Sequence, residues 1–507
     1  MPVTSPEYHQ AFLGKDSRFD GRFVAGARTT RIYCKPSCST KMPPADNVEF
    51  FDTPDEAEAE GYRACRKCRP DVAPGTPAWN GTSATVSRAL RLIEDGVLDR
   101  TNIDALCERL GIGARQLRRL FRKHLGTSPV QVARMRRADF ARRLIETTGL
   151  SMTHVAEAAG FGSIRRFNAV MNEVYGCPPT SLRKGPARGA AGLDLEIPVR
   201  APFAWSPLLA SLEAGATPGV ESVIDGRYIR VARFKQAVGE VSVTFDEAGS
   251  ALRVRVSHSL NAYLLDVVSG VRRLFDVEAE MGVIEEHLAT DPTVAKCMRA
   301  TPGLRVLGSF DRFETAVMTL LGQHICNEEA MDLATRIIDK YGRAIETSES
   351  VLTHAFPTPY ALSSVRLEAL GVPKRRSKSI QALAKAVHEG ALRLDGTPSL
   401  DEALRRLRSI PGVGTTTADY VAMRVYREPD AFPSHDQRLR AAASHDEGAL
   451  SPADLEARAE SWRPWRAYAA MWLWDSVRRD EPASTPYFQG NRETMVPAAP
   501  TAEDQVA

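Results

Sequence analysis

The sequence predicts a multidomain, mostly α-helical protein, and three observations carry that expectation. Two close cysteine pairs stand near the start, Cys34 with Cys38 and Cys65 with Cys68. Two basic helical stretches are each broken by a short glycine turn, Gly111-Ile112-Gly113 and Gly160-Phe161-Gly162. Later, an alternating, strand-like region passes into a long helical one that holds Pro411-Gly412-Val413-Gly414. At 507 residues the chain exceeds what one hydrophobic core can organise, so three or more domains are expected.

The composition, 43% hydrophobic and 25% charged, is that of an ordinary soluble protein. A net charge of +3 says little over this length, and the clustering of arginine matters more. No stretch has the continuous apolar length of a membrane span, and the polar start lacks a signal-peptide core. A cytoplasmic protein with no membrane partner is expected. In that reducing compartment Cys107, Cys177, Cys297 and Cys326 read as buried thiols rather than disulfides.

The cysteine pairs come first. Four soft ligands in two close pairs match the closed tetrahedral site that zinc prefers, one ion held by four thiolates. Spacing alone favours a staple for a small domain. The surrounding cations Arg28, Arg31, Lys35, Arg63, Arg66, Lys67 and Arg69 add a reason to expect a phosphate backbone nearby. Residues 28 to 38, with the Cys65 pair followed by Arg69 and Pro70, resemble the N-terminal domain of the Ada adaptive-response proteins. In that family a zinc-bound cysteine takes a methyl group from a DNA phosphotriester. The resemblance implies a zinc methyl-acceptor domain over 1–76, with Cys34 the acceptor and Cys34, Cys38, Cys65 and Cys68 all ligands. The acidic residues of 46–61 read as the solvated face of a helix and loop, and Pro70 to Ser83 reads as a linker.

From 84 to 184 the pattern is helical and basic. Leu106, Leu110, Leu117, Leu120 and Phe121 recur at helical spacing, with Arg115, Arg118, Arg119, Arg122 and Lys123 on the other faces. A second copy follows, with Val155, Ala156 and Ala159 before its turn and Phe167, Val170, Met171 and Val174 after it. Two helix-turn-helix units separated by one long helix, Val130 to about Thr147, match the AraC-type DNA-binding domain. The second helix of each unit is expected in a major groove. Arg115, Gln116 and Arg119 in the first, and Arg165, Arg166 and Asn168 in the second, are the candidates for base edges and phosphates.

Lys184 to Gly192 reads as a flexible hinge. Beyond it Leu193, Leu195, Ile197 and Val199 alternate, as do Val241, Val243 and Phe245, then Leu252, Val254 and Val256. These are half-buried antiparallel strands of a small α+β domain over 193–276, with helices near 206–214 and 262–275. From 277 to 481 the chain is helical. Pro411 to Gly414 joins two helices as a helix-hairpin-helix, where Gly412 and Gly414 let a phosphate backbone approach free amides. The tail, 482–507, reads as disordered.

The hairpin is followed by Phe432-Pro433-Ser434-His435-Asp436 and then by Trp462-Arg463-Pro464-Trp465-Arg466-Ala467-Tyr468. Together with Gly322-Gln323 and the mixed domain before them, these stretches resemble the AlkA-type 3-methyladenine DNA glycosylases. The resemblance implies that Asp436 is the catalytic carboxylate, with Tyr420, Trp474, Gln323 and Thr416 around the base pocket. His324 falls at the family's wedge position. Trp462, Trp465, Tyr468 and Trp472, at helical spacing, read instead as core. Two departures stand out. Thr416 sits where the family can carry tryptophan and lyase-type relatives carry lysine, so base removal without strand cleavage is expected. Gln437 replaces an aromatic residue.

The functional expectation is an alkylation-response fusion that accepts methyl groups from phosphotriesters, regulates transcription and excises alkylated purines. Double-stranded DNA, both damaged sites and operators, is the expected partner, with RNA polymerase as a second candidate. No Pro-Cys-His-Arg methyltransferase site is present. A rival reading, motivated by Thr416 and Gln437, is a regulator whose glycosylase-like half grips damage without catalysis.

Overall fold

The computed structural model describes residues 6–13, 23–36, 38, 44, 47–52, 54–65, 84–183, 193–323, 325–396, 399–444 and 449–479. Cys68, His324, both expected linkers and the tail lie outside the described residues.

Around the first cysteines a four-stranded sheet runs in the order Val48–Phe51, Val24–Ala27, Ile32–Cys34, Arg63–Ala64. The last two strands are parallel, with Tyr33 opposite Ala64, and the Cys65 amide donates to the Tyr33 carbonyl at 2.9 Å. Parallel strands in that register advance together, so the next residues, Cys34 and Cys65, come side by side. Aromatic side chains supply the small core: Phe12, Phe23 and Phe50 in one cluster, Tyr33, Phe51 and Tyr62 in another. Of the expected solvated acidic face, Glu56, Glu58 and Glu60 are exposed. Glu49 departs from it, because Arg28 and the Tyr62 hydroxyl both donate to its carboxylate.

The basic region folds as helices Ala84–Glu94, Val97–Arg100, Ile103–Leu110, Ala114–Leu125, Pro129–Thr147, Met152–Ala158 and Ile164–Tyr175. Their starts are written locally: the side chains of Asn102, Ser128, Ser151 and Ser163 each accept from an amide of the first turn. Three of the stops are glycines in the left-handed region, Gly111, Gly126 and Gly176. The long helix begins at Pro129, one residue before the expected Val130, because Ser128 caps it and proline suits its first turn.

The α+β domain is a five-stranded antiparallel sheet in the order Leu193–Pro198, Ala251–Val256, Ala237–Asp246, Arg227–Phe234, Glu221–Ile224. Helices Trp205–Ala214 and Leu264–Leu274 accompany it. The helical body that follows contains Arg312–Leu321, Leu400–Arg408, Thr415–Arg424, Gln437–Ala442 and Arg466–Arg478.

The helix-turn-helix units meet the rest of the chain in two different ways. The second shares one apolar core with the sheet and the helical body: Met135, Leu144 and Phe167 belong to the same cluster as Val243, Leu264 and Trp472. The first keeps its own core around Leu106, Leu117 and Phe121 and reaches across with charges. Arg88 forks Glu428 at 3.0 and 3.2 Å, and Arg109 forks Asp395 at 2.8 and 3.1 Å. Asp95, 8% exposed, takes Arg273 at 2.8 Å and Arg312 as well.

Candidate metal centre and candidate active site

The sulfurs of Cys34, Cys38 and Cys65 lie within 4.8 Å of one another. Thiolates bound to one ion at about 2.3 Å would converge in this way, so the three fit a shared zinc ion. The sulfurs are not equivalent: Cys38 and Cys65 are buried and Cys34 is half-buried. Lys35 departs from the expectation that it faces phosphate. It is 8% exposed, with Nζ 3.4 Å from Asp139 on the long helix, and Tyr175 donates to the other oxygen of Asp139 at 2.6 Å. A buried ammonium must be paired, and the partner comes from the neighbouring domain.

The six candidates in the helix-turn-helix units, Arg115, Gln116, Arg119, Arg165, Arg166 and Asn168, are all exposed. Leu117 and Phe121, then Phe167, Val170 and Met171, bury the opposite faces of their helices. Burial on one stripe thus leaves the polar stripe free for a groove.

In the hairpin, Gly412 has φ +84°, and a Cβ there would come within 2.1 Å of Ser379 Oγ, so glycine is required. Gly414 begins the helix Thr415–Arg424 with extended backbone and no side chain to cap it, and the space around its Cα is open. Its first-turn amides suit an anion.

Asp436 is 1% exposed and caps helix Gln437–Ala442, its Oδ1 accepting from the Leu439 amide at 2.8 Å. The same oxygen accepts from the indole of Trp474 at 3.0 Å. Burial pushes the carboxyl up from its ordinary value, while the Trp474 and Leu439 donors and Arg438 pull it back. Trp474 and Tyr420 both line a cavity of about 130 Å³, along with Leu307, Thr319, Gly322 and Met471. The two rings meet edge to face, with centroids 6.2 Å apart. Asp436 does not line that cavity and reaches it through the Trp474 ring.

Gln323 and Thr416 lie off the cavity wall. Gln323 donates to Thr417 Oγ1 at 2.6 Å and offers its carbonyl to Arg376, while Thr416 is half-buried. Gln437 is exposed. Trp462 and Trp472 are fully buried, as expected of core. Sequence reasoning missed the charged part of the wall, Glu221, Glu314 and Arg424. A glutamate in a helix's first turn reads as favouring the dipole, and no local signal told Glu314 apart from that.

The chain thus sets a cluster of cysteine sulfurs ahead of two helix-turn-helix units, and a buried carboxylate beside an aromatic cavity in the helical body that follows. Comparison with known families matches three stretches. Residues 7–71 match the metal binding domain of Ada, 106–185 a helix-turn-helix domain, and 194–311 the AlkA N-terminal domain. A Mycobacterium tuberculosis protein named as a probable bifunctional transcriptional activator/DNA repair enzyme AlkA is 39% identical over 476 residues, covering 92% of this chain and 96% of that one. DNA-3-methyladenine glycosylase 2 of Escherichia coli is 30% identical across 54% of this chain and 94% of its own. The Escherichia coli bifunctional activator and repair enzyme Ada is 31% identical across 36% of this chain and half of its own length. The chain belongs to the family of AlkA-type bifunctional transcriptional activators and DNA repair enzymes.

Proposed function

We propose that the chain meets alkyl damage in double-stranded DNA with two separate chemistries. At the thiolate centre, bound zinc keeps a cysteine sulfur ionised at neutral pH. Cys34 Sγ attacks the methyl carbon of a phosphotriester; the S–C bond forms as the C–O bond breaks, and the electron pair leaves on the phosphate oxygen. The greater exposure of Cys34 relative to Cys38 and Cys65 supports that choice. The thioether is not returned, so each protein acts once. Methylation removes about one negative charge from a DNA-facing surface and raises operator affinity, read by the exposed arginines of both recognition helices.

In the helical body, an alkylated purine leaves the stack and enters the cavity beside Tyr420 and Trp474. Breaking its bond to the sugar builds positive charge on the sugar, which the Asp436 carboxylate stabilises. Thr416 supplies no amine, so the strand stays intact. The observation that carries this reading is the Trp474 indole, which holds the Asp436 carboxylate on one side and walls the cavity on the other. The test is release of free base from methylated duplex DNA. Asp436→Asn should lower the rate by about 100-fold or more with no strand breaks in either protein. Release by the variant at the wild-type rate would overturn the assignment.

A further inference from the structure

Away from the cavity and the cysteine cluster, helix Lys374–His388 opens on a run of cations, Lys374, Arg375, Arg376 and Lys378. Lys374, Arg375 and Lys378 fall on one stripe of the helix, about 100° wide, and all three are exposed. Their side chains make no hydrogen bond or ion pair among the described residues. The charge is not balanced along the chain either. Between 364 and 380 the one acid is Glu368, against Arg366, Lys374, Arg375, Arg376 and Lys378, and it already accepts from Ser377 at 2.9 Å. The inner side of the same turns shows where the stripe stands. Ser379 Oγ lies 2.1 Å from where a Cβ on Gly412 of the hairpin would be. Arg376 donates to the Gln323 carbonyl, and the Gln323 side chain donates to Thr417, on the hairpin's second helix, at 2.6 Å. The helix is thus fixed against the hairpin at two places. Arg375 and Lys378 precede Ser379 by four residues and one, within about 6 Å along the axis. A DNA strand carries one charge per about 3.4 Å of duplex axis, so a strand with one phosphate at the amides after Gly414 brings neighbouring phosphates within reach of these side chains.

We propose that Lys374, Arg375 and Lys378 form a second backbone-binding ridge of the helical body, which holds the DNA phosphates next to the one taken by the hairpin. The proposal rests on the glycosylase reading above and adds a surface by which that half grips its duplex. Contacts to phosphate carry no information about sequence or lesion, so the ridge serves undamaged and damaged duplex alike. Long ammonium and guanidinium side chains can follow the backbone as the protein moves along it, whereas the hairpin amides are fixed in place. None of the three side chains lines the cavity that Trp474 walls. Their effect therefore falls on the protein concentration needed for half-maximal base release, and that of Asp436 on the maximal rate.

The experiment measures single-turnover base release by the full-length protein from a short duplex with one N7-methylguanine and no operator, over a series of sodium chloride concentrations. The half-saturating protein concentration rises with salt, and its logarithmic slope reports phosphate contacts at about 0.9 each. Lys374→Gln, Arg375→Gln and Lys378→Gln, combined in one variant, should lower that slope by about 2.7 and raise the half-saturating concentration at low salt by about tenfold or more. Lys385 is the control. It is exposed on the same stripe, 3.9 Å from Glu389 and about 10 Å further along the helix, and Lys385→Gln should leave the slope as it is. An unchanged slope in the triple variant, a fall of about 0.9 in Lys385→Gln, or a loss confined to the maximal rate overturns the proposal. Failure of the glycosylase reading shows separately, as no base release by the wild type. The slopes are then read from fluorescence anisotropy of the same duplex, where the same difference between wild type and triple variant is expected and its absence overturns the ridge.

Discussion

Replacing Asp95 with asparagine tests whether the regulatory and repair halves are held together by buried charge. The substitution keeps the shape and deletes the negative charge between Arg273 and Arg312, whose side chains are only 10% and 17% exposed. Removing one partner of a buried pair costs about 3–5 kcal/mol, because the other charge stays behind uncompensated. Here the guanidiniums keep other acceptors: Arg273 donates to the carbonyls of Ser309 and Phe310, and Arg312 to that of Val425. The lower end, about 3 kcal/mol, is therefore expected. In urea unfolding this moves the midpoint down by roughly 1 M at an ordinary slope. Burial disfavours the charge of Asp95, but Arg312, Arg273 and Arg427 outweigh it and hold the carboxyl well below the usual carboxylate range. Its contribution is thus complete above the unfolded-state pKa and is lost as pH falls through the folded one. The gap between variant and wild type should be constant from neutral to mildly acid solution and close only in strong acid. A midpoint shift below about 0.3 M at pH 7 would refute the reasoning.

Glu94, the neighbouring residue, should behave in the opposite way. Burial, then Glu278, pushes it up to about 7, so its stabilising proton is lost as pH rises toward that value; Glu94→Gln should stabilise the protein at pH 8 and change little at pH 5, read by thermal unfolding. Trp474→Phe keeps an aromatic wall but removes a donor to ionised Asp436; since the ionised form is needed, the acid limb of base release should move to higher pH. An unmoved limb would show that the indole does not tune the carboxylate. Arg119→Ala should weaken binding to operator DNA by about 1–3 kcal/mol if the side chain reads a base, measured by fluorescence anisotropy at fixed salt.

Much of the fold was legible because hydrophobic periodicity is local. Apolar residues at helical spacing and the two glycine turns marked the helices of both helix-turn-helix units, and alternation marked the sheet strands; the cap at Ser128 with Pro129 after it, which sets the start of the long helix, was a local signal left unused. The cysteine cluster was legible from spacing, since only convergence of the sulfurs satisfies one ion. The charge partners were not. Arg88 and Arg91 sit in a basic helix that suggests a solvated or DNA-facing surface, yet both meet Glu428, more than 300 residues away. Lys35 reads in sequence like the cations Arg28 and Arg31, yet those are exposed and Lys35 is buried against Asp139. Sequence shows that a residue is charged; which opposite charge it meets is decided by tertiary packing.

That distinction bears on how the two halves are joined. An apolar seam, such as the one between the second helix-turn-helix unit and the sheet, gains stability roughly in proportion to area and tolerates small shifts in register. A forked guanidinium does not: Arg88 with Glu428, and Arg109 with Asp395, each hold two donors on one carboxylate and fix orientation as well as distance. The first unit, which has a separate core, is therefore aligned by charge geometry, while the second is anchored by shared burial. Because a buried pair contributes little net stability compared with an apolar replacement, the ion pairs are better understood as setting alignment than as supplying the strength of the joint.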